Sequence, residues 1–253
     1  MTVAAKKSAT MTAADVLATL RSMGKPGTAE IYRRHGATGE VWGVSFADLT
    51  ALAKKFKTDH AMAQSLWSSG VADAQTLALM VADPAALTPA AADAWLREAR
   101  APVLIQYLAG LVAKTPFARA KLAAWTRSTE DLPRAAGYTL LGVLASGPEL
   151  SDADAAAHLA TVEKTIHASP NRARYAMNNA VIAVGIARPA LRDDAIAAAR
   201  RIGKVEVDHG DTGCKTPDAE AYILKAAART QGAKKPASAG RGAPGRRRRA
   251  RAR

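Results

Sequence analysis

Residues 208–214 contain the densest set of side chains in the sequence that could carry out chemistry. Asp208, His209, Asp211 and Cys214 lie within seven positions, together with two glycines. Such side chains can bind zinc or iron, and a neighbouring histidine could also activate the Cys214 thiol as a nucleophile. Four ligands from one short loop seldom surround an ion, so we favour a structural turn whose Asp and Thr side chains bond the backbone. We therefore predict no metal and no cofactor, and we keep these four residues as a candidate loop site.

Positive side chains form the second pattern. The formal net charge is +14, from 36 lysines and arginines against 22 acidic residues. Cations that neutralise phosphates release counterions and give affinity for nucleic acid without sequence preference. The alternative is an ordinary solvated surface, with cations near helix C-termini complementing the helix dipole. The candidate nucleic-acid contacts in the body of the chain are Lys54, Lys55, Lys57, Lys114, Arg134, Arg172, Arg174, Arg200, Arg201 and Lys204.

The C-terminal segment 232–253 differs in composition from the rest of the chain. It holds nine lysines and arginines and no acidic residue, so residues 1–231 keep a charge of +5. Glycine, proline, alanine and mutually repelling arginines cannot form a core, so we predict a disordered tail. Four successive arginines, Arg246, Arg247, Arg248 and Arg249, should bind any polyphosphate.

The elements that must position these groups are helices. Alanine, the best helix former, occurs 61 times, which nearly excludes an all-β fold. Helix starts and stops recur from residue 12 to residue 231 and predict about thirteen helices of 9–17 residues with short connections. Pairs of such helices every 30–45 residues favour a solenoid over a compact bundle. We predict a flexible N-terminus over 1–11, an all-α superhelix over 12–231 and the tail over 232–253.

Several helices show their starts and buried faces directly. Thr12 with Asp15 indicates a capping box, and Ser45 is a cap for a helix over 46–57 whose apolar stripe begins at Phe46. We expect the four tryptophans, Trp42, Trp67, Trp95 and Trp125, to lie in the core. The sequence pattern typical of helices is interrupted between residues 202 and 217, which predicts a loop there. We expect Asn178 to make a buried polar contact to that loop.

The sequence also limits the location of the protein. The sequence contains no run of 18 uninterrupted apolar residues, so it predicts no membrane span. Residues 1–16 also lack the apolar core of a signal peptide. The single cysteine, Cys214, fits a reducing compartment. We predict a cytoplasmic protein, and the richness in alanine and arginine suggests a GC-rich bacterial source.

Five segments together resemble the DNA alkylation repair family, whose characterised members are DNA glycosylases built from HEAT-like repeats. The resemblance covers nearly all of 12–230 and depends on residues 41–84, 108–118, 134–141, 176–185 and 199–223. It implies a right-handed α-α superhelix of HEAT-like repeats whose concave face grips duplex DNA. It also implies an arginine near the DNA backbone, and Arg134 is the best match in the body of the chain.

The sequence departs from that family where its catalytic residues should be. The family places a Trp, and an Asp four residues later, shortly before a Thr-Pro-Phe stretch, with a second Trp and an Arg in a later helix. Here these first two positions are Ala101 and Ile105, and no Asp or Glu lies between Glu98 and Glu130. No Trp follows Trp125, and isoleucine cannot stabilise a sugar cation. We predict that the usual glycosylase chemistry is lost, and the question of any enzyme activity stays open.

The resulting hypothesis is a monomer that binds duplex DNA without sequence preference through a basic concave face and the cationic tail. Two alternatives remain. The solenoid could be a non-catalytic scaffold for a protein partner, or an enzyme could use the loop containing Asp208, His209, Asp211 and Cys214.

Overall fold

The structure is a computed structural model that describes residues 11–233, a range in which the chain is helical and contains no β-strand. The described range holds thirteen α-helices: α1 Ala13–Met23, α2 Pro26–Arg34, α3 Phe46–Phe56, α4 His60–Trp67, α5 Ala72–Val81, α6 Pro89–Glu98, α7 Val103–Val112, α8 Ala118–Arg127, α9 Asp131–Leu144, α10 Asp152–Thr165, α11 Asn171–Ala187, α12 Arg192–Ile202 and α13 Ala219–Ala233. The predictions for the tail over 232–253 and for residues 1–11 fall almost entirely outside this range.

Two helices are flanked by a 3-10 turn. Helix α10 is followed by the turn Ile166–Ala168, and α12 is preceded by the turn Pro189–Leu191. A single 3-10 turn at a helix end is common, because it satisfies backbone groups that have no partner within the helix.

The helices form two rows, as expected for an α-α superhelix. In the inner row α3, α5, α7, α9, α11 and α13 each pack against the next. In the outer row α4, α6, α8, α10 and α12 pack against their inner neighbours, while α1 packs against α4 and α5. The predicted HEAT-like solenoid is therefore confirmed.

Helix starts in the N-terminal part follow the sequence signals. The Thr12 hydroxyl accepts from the Asp15 N–H at 3.2 Å, and the Asp15 carboxylate accepts from the Thr12 N–H at 2.9 Å, so the capping box is present. The Ser45 hydroxyl accepts from the Asp48 N–H at 3.2 Å and caps α3 as predicted. Both caps satisfy N–H groups that have no acceptor within their helix.

Polar side chains in the first turns of inner helices hold the neighbouring segments in place. The Gln75 side chain of α5 donates to the Glu98 carbonyl and accepts from the Arg100 N–H at 3.1 Å, which fixes the segment leading into α7. The Asp131 carboxylate of α9 accepts from the Ala173 N–H at 2.8 Å in the first turn of α11. These bonds set the positions at which α7 and α11 begin.

Three of the four tryptophans lie in the core, as predicted. Trp67, Trp95 and Trp125 are buried, and the rings of Trp67 and Trp95 stack at a centroid distance of 4.7 Å. Trp42 is half-buried, and its indole N–H donates to Glu40.

The predicted role of Phe46 as part of the buried stripe of α3 is wrong. Leu49 and Leu52 of that stripe are buried, but Phe46 is 36% exposed. Phe46 is the first residue of α3, and its ring lies on the concave side of the superhelix, where only the rings of Tyr32 and Tyr107 lie beside it among the described aromatic residues.

Candidate nucleic-acid interface

The inner row of helices surrounds a cleft of about 970 Å³ on the concave side. Its walls come from the end of α2, the first turns of α3, α5 and α7, one face of α9 and of α11, and residues 207–214. Exposed apolar side chains form part of its surface, namely Ile31, Phe46 and Val143. An open cleft with apolar walls and a few polar groups is the usual form of a ligand site.

The positions that should carry the family's Trp and Asp line this cleft. Ala101 is half-buried just before α7, and Ile105 is 6% exposed in the first turn of α7. Pro102 and Val103 lie between them and also face the cleft. This part of the wall is therefore apolar and offers no group that could stabilise a cation or orient water.

A carboxylate that sequence reasoning missed lies on α5 in the same cleft. Asp73 is 2% exposed, and its oxygens accept the backbone N–H groups of residues 42, 43 and 44 at 2.7, 3.1 and 2.7 Å. These bonds join α5 to a segment thirty residues away, so local sequence signals could not reveal them. Asp73 holds the approach to α3, and three N–H donors occupy its two oxygens.

The charge of the cleft differs from the expected basic concave face. The residues that line it include two arginines, Arg34 and Arg172, and two aspartates, Asp73 and Asp208. The walls of the cleft thus have no net formal charge, and most of the predicted cations lie outside them. The reason is that the inner faces of the helices are packed with small and apolar side chains, whereas lysines and arginines occupy helix ends.

Arg172 is the predicted cation that the structure places in the cleft. Its side chain is half-buried in the first turn of α11, and its Nη2 lies beside Gly36, 3.1 Å from where a Cβ on that glycine would be. Gly36 has a φ of +88°, which glycine adopts without strain. Neither Arg172 nor Arg34 forms an ion pair or a side-chain hydrogen bond with any residue of the 11–233 range.

Seven other predicted cations lie at the surface, either in an ion pair or without one among the described residues. Lys54, Lys55, Lys57 and Lys114 are exposed, without an ion pair in the described part of the chain. Arg200 and Arg201 pair with Glu220 and Glu163, and these contacts raise the pKa of both guanidinium groups; Lys204 pairs with Glu206.

Arg174 and Arg134 use their guanidinium groups inside the fold. Arg174 donates to the carbonyls of Ser169 and Glu206. Arg134 donates to the Thr165 hydroxyl at 3.0 Å at the end of α10, and its side chain does not line the cleft. Its Nε atom is buried without an acceptor. Arg246, Arg247, Arg248 and Arg249 lie outside the described residues.

The loop containing Asp208, His209, Asp211 and Cys214 is held against α11 and closes one end of the cleft. The Asn171 side chain donates to the Asp208 carbonyl at 2.7 Å and accepts from the Asp208 N–H at 2.8 Å. His209 contacts the hydroxyl of Thr216 at 3.0 Å, and its ring meets that of Tyr175 edge-on.

Within this loop the side chains bond to the backbone, as in a structural turn. The Asp208 carboxylate accepts from the Gly210 N–H, and Thr212 donates to the His209 carbonyl. Asp211 and Cys214 are exposed, and the Cys214 sulfur lies 4.0 Å from Nδ1 of His35. Among residues 11–233, no three His, Cys, Asp or Glu side chains converge as metal ligands would.

The predicted contact of Asn178 lies just beyond the loop. Asn178 is 3% exposed and donates from Nδ2 to the Pro217 carbonyl at 3.0 Å. This bond ties the middle of α11 to the start of α13 and satisfies a polar group that would otherwise be costly to bury.

Comparisons with known proteins identify one family model and two relatives that match most of the chain. The family model for DNA alkylation repair enzymes matches residues 16–223. An uncharacterised protein of Listeria monocytogenes is 31% identical over 219 residues, covering 84% of this chain and 96% of its own. An uncharacterised protein of Listeria innocua is 32% identical over 214 residues, covering 82% of this chain and 93% of its own.

A solved structure shows the same architecture. The solved protein represents a family that is described as related to the HEAT-like repeat DNA glycosylases and as having affinity for branched DNA structures. The match has a TM-score of 0.81 and 29% sequence identity, and it covers 87% of this chain and 95% of that one. None of the helices in the described range has the length and hydropathy that crossing a membrane requires.

Proposed function

Because this chain belongs to the family of DNA alkylation repair enzymes, we propose that its cleft binds DNA through the sugar–phosphate backbone, without reading sequence. The solved relative with affinity for branched DNA structures supports branched DNA as one ligand, and we include linear duplex DNA in the proposal. The proposed mechanism is the neutralisation of phosphates by cations, which gives affinity that falls as salt rises.

The proposal depends on one observation, the position of the Arg172 guanidinium in the cleft without an ion pair in the described range. Within residues 11–233 the half-buried Arg172 guanidinium has no acidic partner, so it loses hydration and gains no compensating charge. A phosphate oxygen would supply that charge and would accept a bidentate pair of N–H donors. Arg34 lines the same cleft and could contact a second phosphate.

The remaining predicted cations would extend the contact beyond the cleft. Lys54, Lys55, Lys57 and Lys114 are exposed and have no ion pair within the described range, so each would contact a phosphate directly. Arg134, Arg174, Arg200, Arg201 and Lys204 would have to exchange partners within the protein, so we expect smaller contributions from them. The tail, with Arg246 to Arg249, would act at high effective concentration once the cleft is occupied.

We propose further that the usual glycosylase chemistry is lost. Ala101 and Ile105 offer no charge at the expected catalytic positions, and the Asp73 carboxylate already accepts three N–H groups. A base-release assay on duplex DNA that contains alkylated purines should show no release above the uncatalysed rate. Release at a rate comparable to that of active family members would refute this part of the proposal.

A salt series of DNA binding tests the role of Arg172. The variant Arg172→Gln removes the charge but keeps a polar side chain, so it should weaken binding to linear and branched DNA alike. The slope of log K for DNA binding against the logarithm of the salt concentration should become shallower by about 0.9, the change expected for the loss of one phosphate contact. The matched control is Arg201→Gln, because Arg201 already pairs with Glu163 outside the cleft. Equal affinity and slope for wild type and Arg172→Gln would contradict the proposal.

Removal of residues 232–253 tests the tail separately. The truncated protein should bind DNA more weakly and with a smaller salt dependence, because nine cations are lost. Unchanged affinity would refute the contribution of the tail. If the truncated protein has no salt-sensitive affinity for DNA and retains a stable protein partner, the scaffold alternative is favoured instead.

A further inference from the structure

Three aromatic rings from separate elements meet at the edge of the cleft. Tyr32 of α2 and Phe46 of α3 have ring centroids 5.5 Å apart, and Phe46 and Tyr107 of α7 lie 6.3 Å apart with planes only 17° from parallel. We call Tyr32, Phe46 and Tyr107 the aromatic shelf. Phe46, its central member, is 36% exposed, so an apolar ring faces solvent inside a cleft.

A second recess of about 380 Å³ adjoins the cleft at this shelf. It is lined by Phe46, Val103, Gln106 and Tyr107. The Gln106 amide is exposed, and neither it nor the Tyr107 hydroxyl has a hydrogen-bond partner in the 11–233 range. The Tyr32 hydroxyl, in contrast, is used in the fold, since it donates to the Val44 carbonyl at 2.8 Å. The recess thus offers a flat apolar surface beside two free hydrogen-bonding groups.

These features match the chemistry of a nucleobase, which has a flat π-face and a polar edge. In a continuous duplex, both faces of each base are covered by its neighbours. At a branch point the stacking is interrupted, and a base can expose one face or leave the stack. We propose that the aromatic shelf stacks an unpaired base at a DNA branch point, with Gln106 and the Tyr107 hydroxyl facing its edge.

The arginines of the cleft favour DNA over an apolar peptide as the occupant of the shelf. Tyr32, Gly36 and Arg172 line the same cleft, and Gly36 lies beside the Arg172 guanidinium, so the shelf and this cation belong to one continuous wall. An uncharged apolar segment would cover Phe46 but leave Arg172 without an anion. An unpaired nucleotide supplies both the flat face and the negative charge.

This inference rests on the proposed function and identifies the class of DNA that the cleft would prefer. It is tested with a three-way DNA junction and a linear duplex of the same length, each titrated with full-length protein. The junction carries 2-aminopurine at the branch point, because the fluorescence of this base analogue falls when it stacks. Phe46→Ala should lose about 5- to 100-fold in affinity for the junction, the range found for base–aromatic stacking, and little for the duplex. It should also abolish the fluorescence change.

Two further substitutions separate a π-face from apolar area. Phe46→Trp should keep junction affinity and quenching, whereas Phe46→Leu, which keeps apolar area without a ring, should behave like Phe46→Ala. Ile186→Ala is the matched control, because Ile186 is 38% exposed and lies outside the cleft. Because Phe46 also packs against Tyr32 and Tyr107, thermal unfolding of each variant is measured as well, and affinities are compared below the lowest melting temperature.

The outcomes distinguish the shelf from the proposed function. If wild type binds both DNAs and Arg172→Gln weakens both, but Phe46→Ala changes neither affinity nor fluorescence, the shelf is refuted and backbone binding stands. Equal junction binding by Phe46→Leu and Phe46→Trp also refutes stacking, because it shows that a ring at this position is not needed. If wild type binds neither DNA, the proposed function itself fails.

Discussion

Replacement of Asp73 by asparagine should destabilise the protein strongly, because this buried carboxylate organises the approach to α3. Its Oδ1 accepts from the N–H groups of residues 43 and 44, and its Oδ2 accepts from the N–H of residue 42. Asparagine can keep the two bonds to Oδ1, but it places an NH2 group against the third N–H. Asp73→Asn therefore removes one charge-assisted bond and leaves a buried donor without an acceptor.

The size of the effect follows from these contacts. A hydrogen bond to a charged group contributes about 1.5–3 kcal/mol, and a buried donor without a partner costs about 1–3 kcal/mol. Relief of the desolvation of the charge offsets part of this sum. We expect the free energy of unfolding to fall by roughly 2–4 kcal/mol, a large fraction of the 5–15 kcal/mol typical of a domain.

Urea unfolding followed by tryptophan fluorescence measures this loss. The control Asp208→Asn should change the free energy of unfolding by less than about 0.5 kcal/mol, because Asp208 is exposed and asparagine keeps the bond to Gly210. A stability of Asp73→Asn equal to that of wild type would refute the structural role. If that variant is stable but loses a base-release activity shown by wild type, Asp73 belongs to the chemistry instead.

Two further predictions concern contacts made by helices of the outer row. Gly137→Ala should lower the free energy of unfolding, measured in urea, by more than about 2 kcal/mol, because a Cβ on Gly137 would lie 2.5 Å from the Thr126 backbone nitrogen. A smaller loss would show that α8 and α9 can move apart. Asp93 accepts from Lys121 at 2.6 Å and from the Trp125 indole at 2.9 Å; burial raises the pKa of Asp93, but these bonds outweigh it and lower the pKa below its ordinary value. A carboxylate whose pKa is lower in the folded protein stabilises it above the ordinary Asp pKa and loses this effect as pH falls through the folded value. Because the Asp93 side chain is 38% exposed, solvent screens part of the effect, and the stability difference between wild type and Asp93→Asn should be about 0.5–1 kcal/mol at neutral pH and shrink in acid. A difference that is independent of pH would contradict this account.

The order of the helices could be predicted from the sequence because its signals are local. The capping box of Thr12 and Asp15, the cap at Ser45 and the prolines at the starts of α2 and α6 each act within one turn. The core could be predicted as well, since buried leucines and tryptophans recur with helical spacing.

The site could be predicted less well, because its properties depend on contacts between distant segments. Asp73 bonds to residues about thirty positions away, and Arg201 meets Glu163 across two helices. Phe46 fits the periodicity of a buried stripe, yet it begins its helix at the cleft and stays exposed. Hydrophobic periodicity identifies the apolar face of a helix, but it does not show whether a neighbouring helix covers that face along its whole length.

The contact between His35 and Cys214 has a consequence for the synthesis of the protein. These residues are 179 positions apart, and they meet where the loop after α12 reaches the end of α2. A solenoid can fold progressively as it leaves the ribosome, because most of its contacts are between neighbours. This end of the cleft cannot form in that way, since its two sides are 179 positions apart in the chain. A nascent chain would therefore present an incomplete cleft until the loop after α12 had left the ribosome.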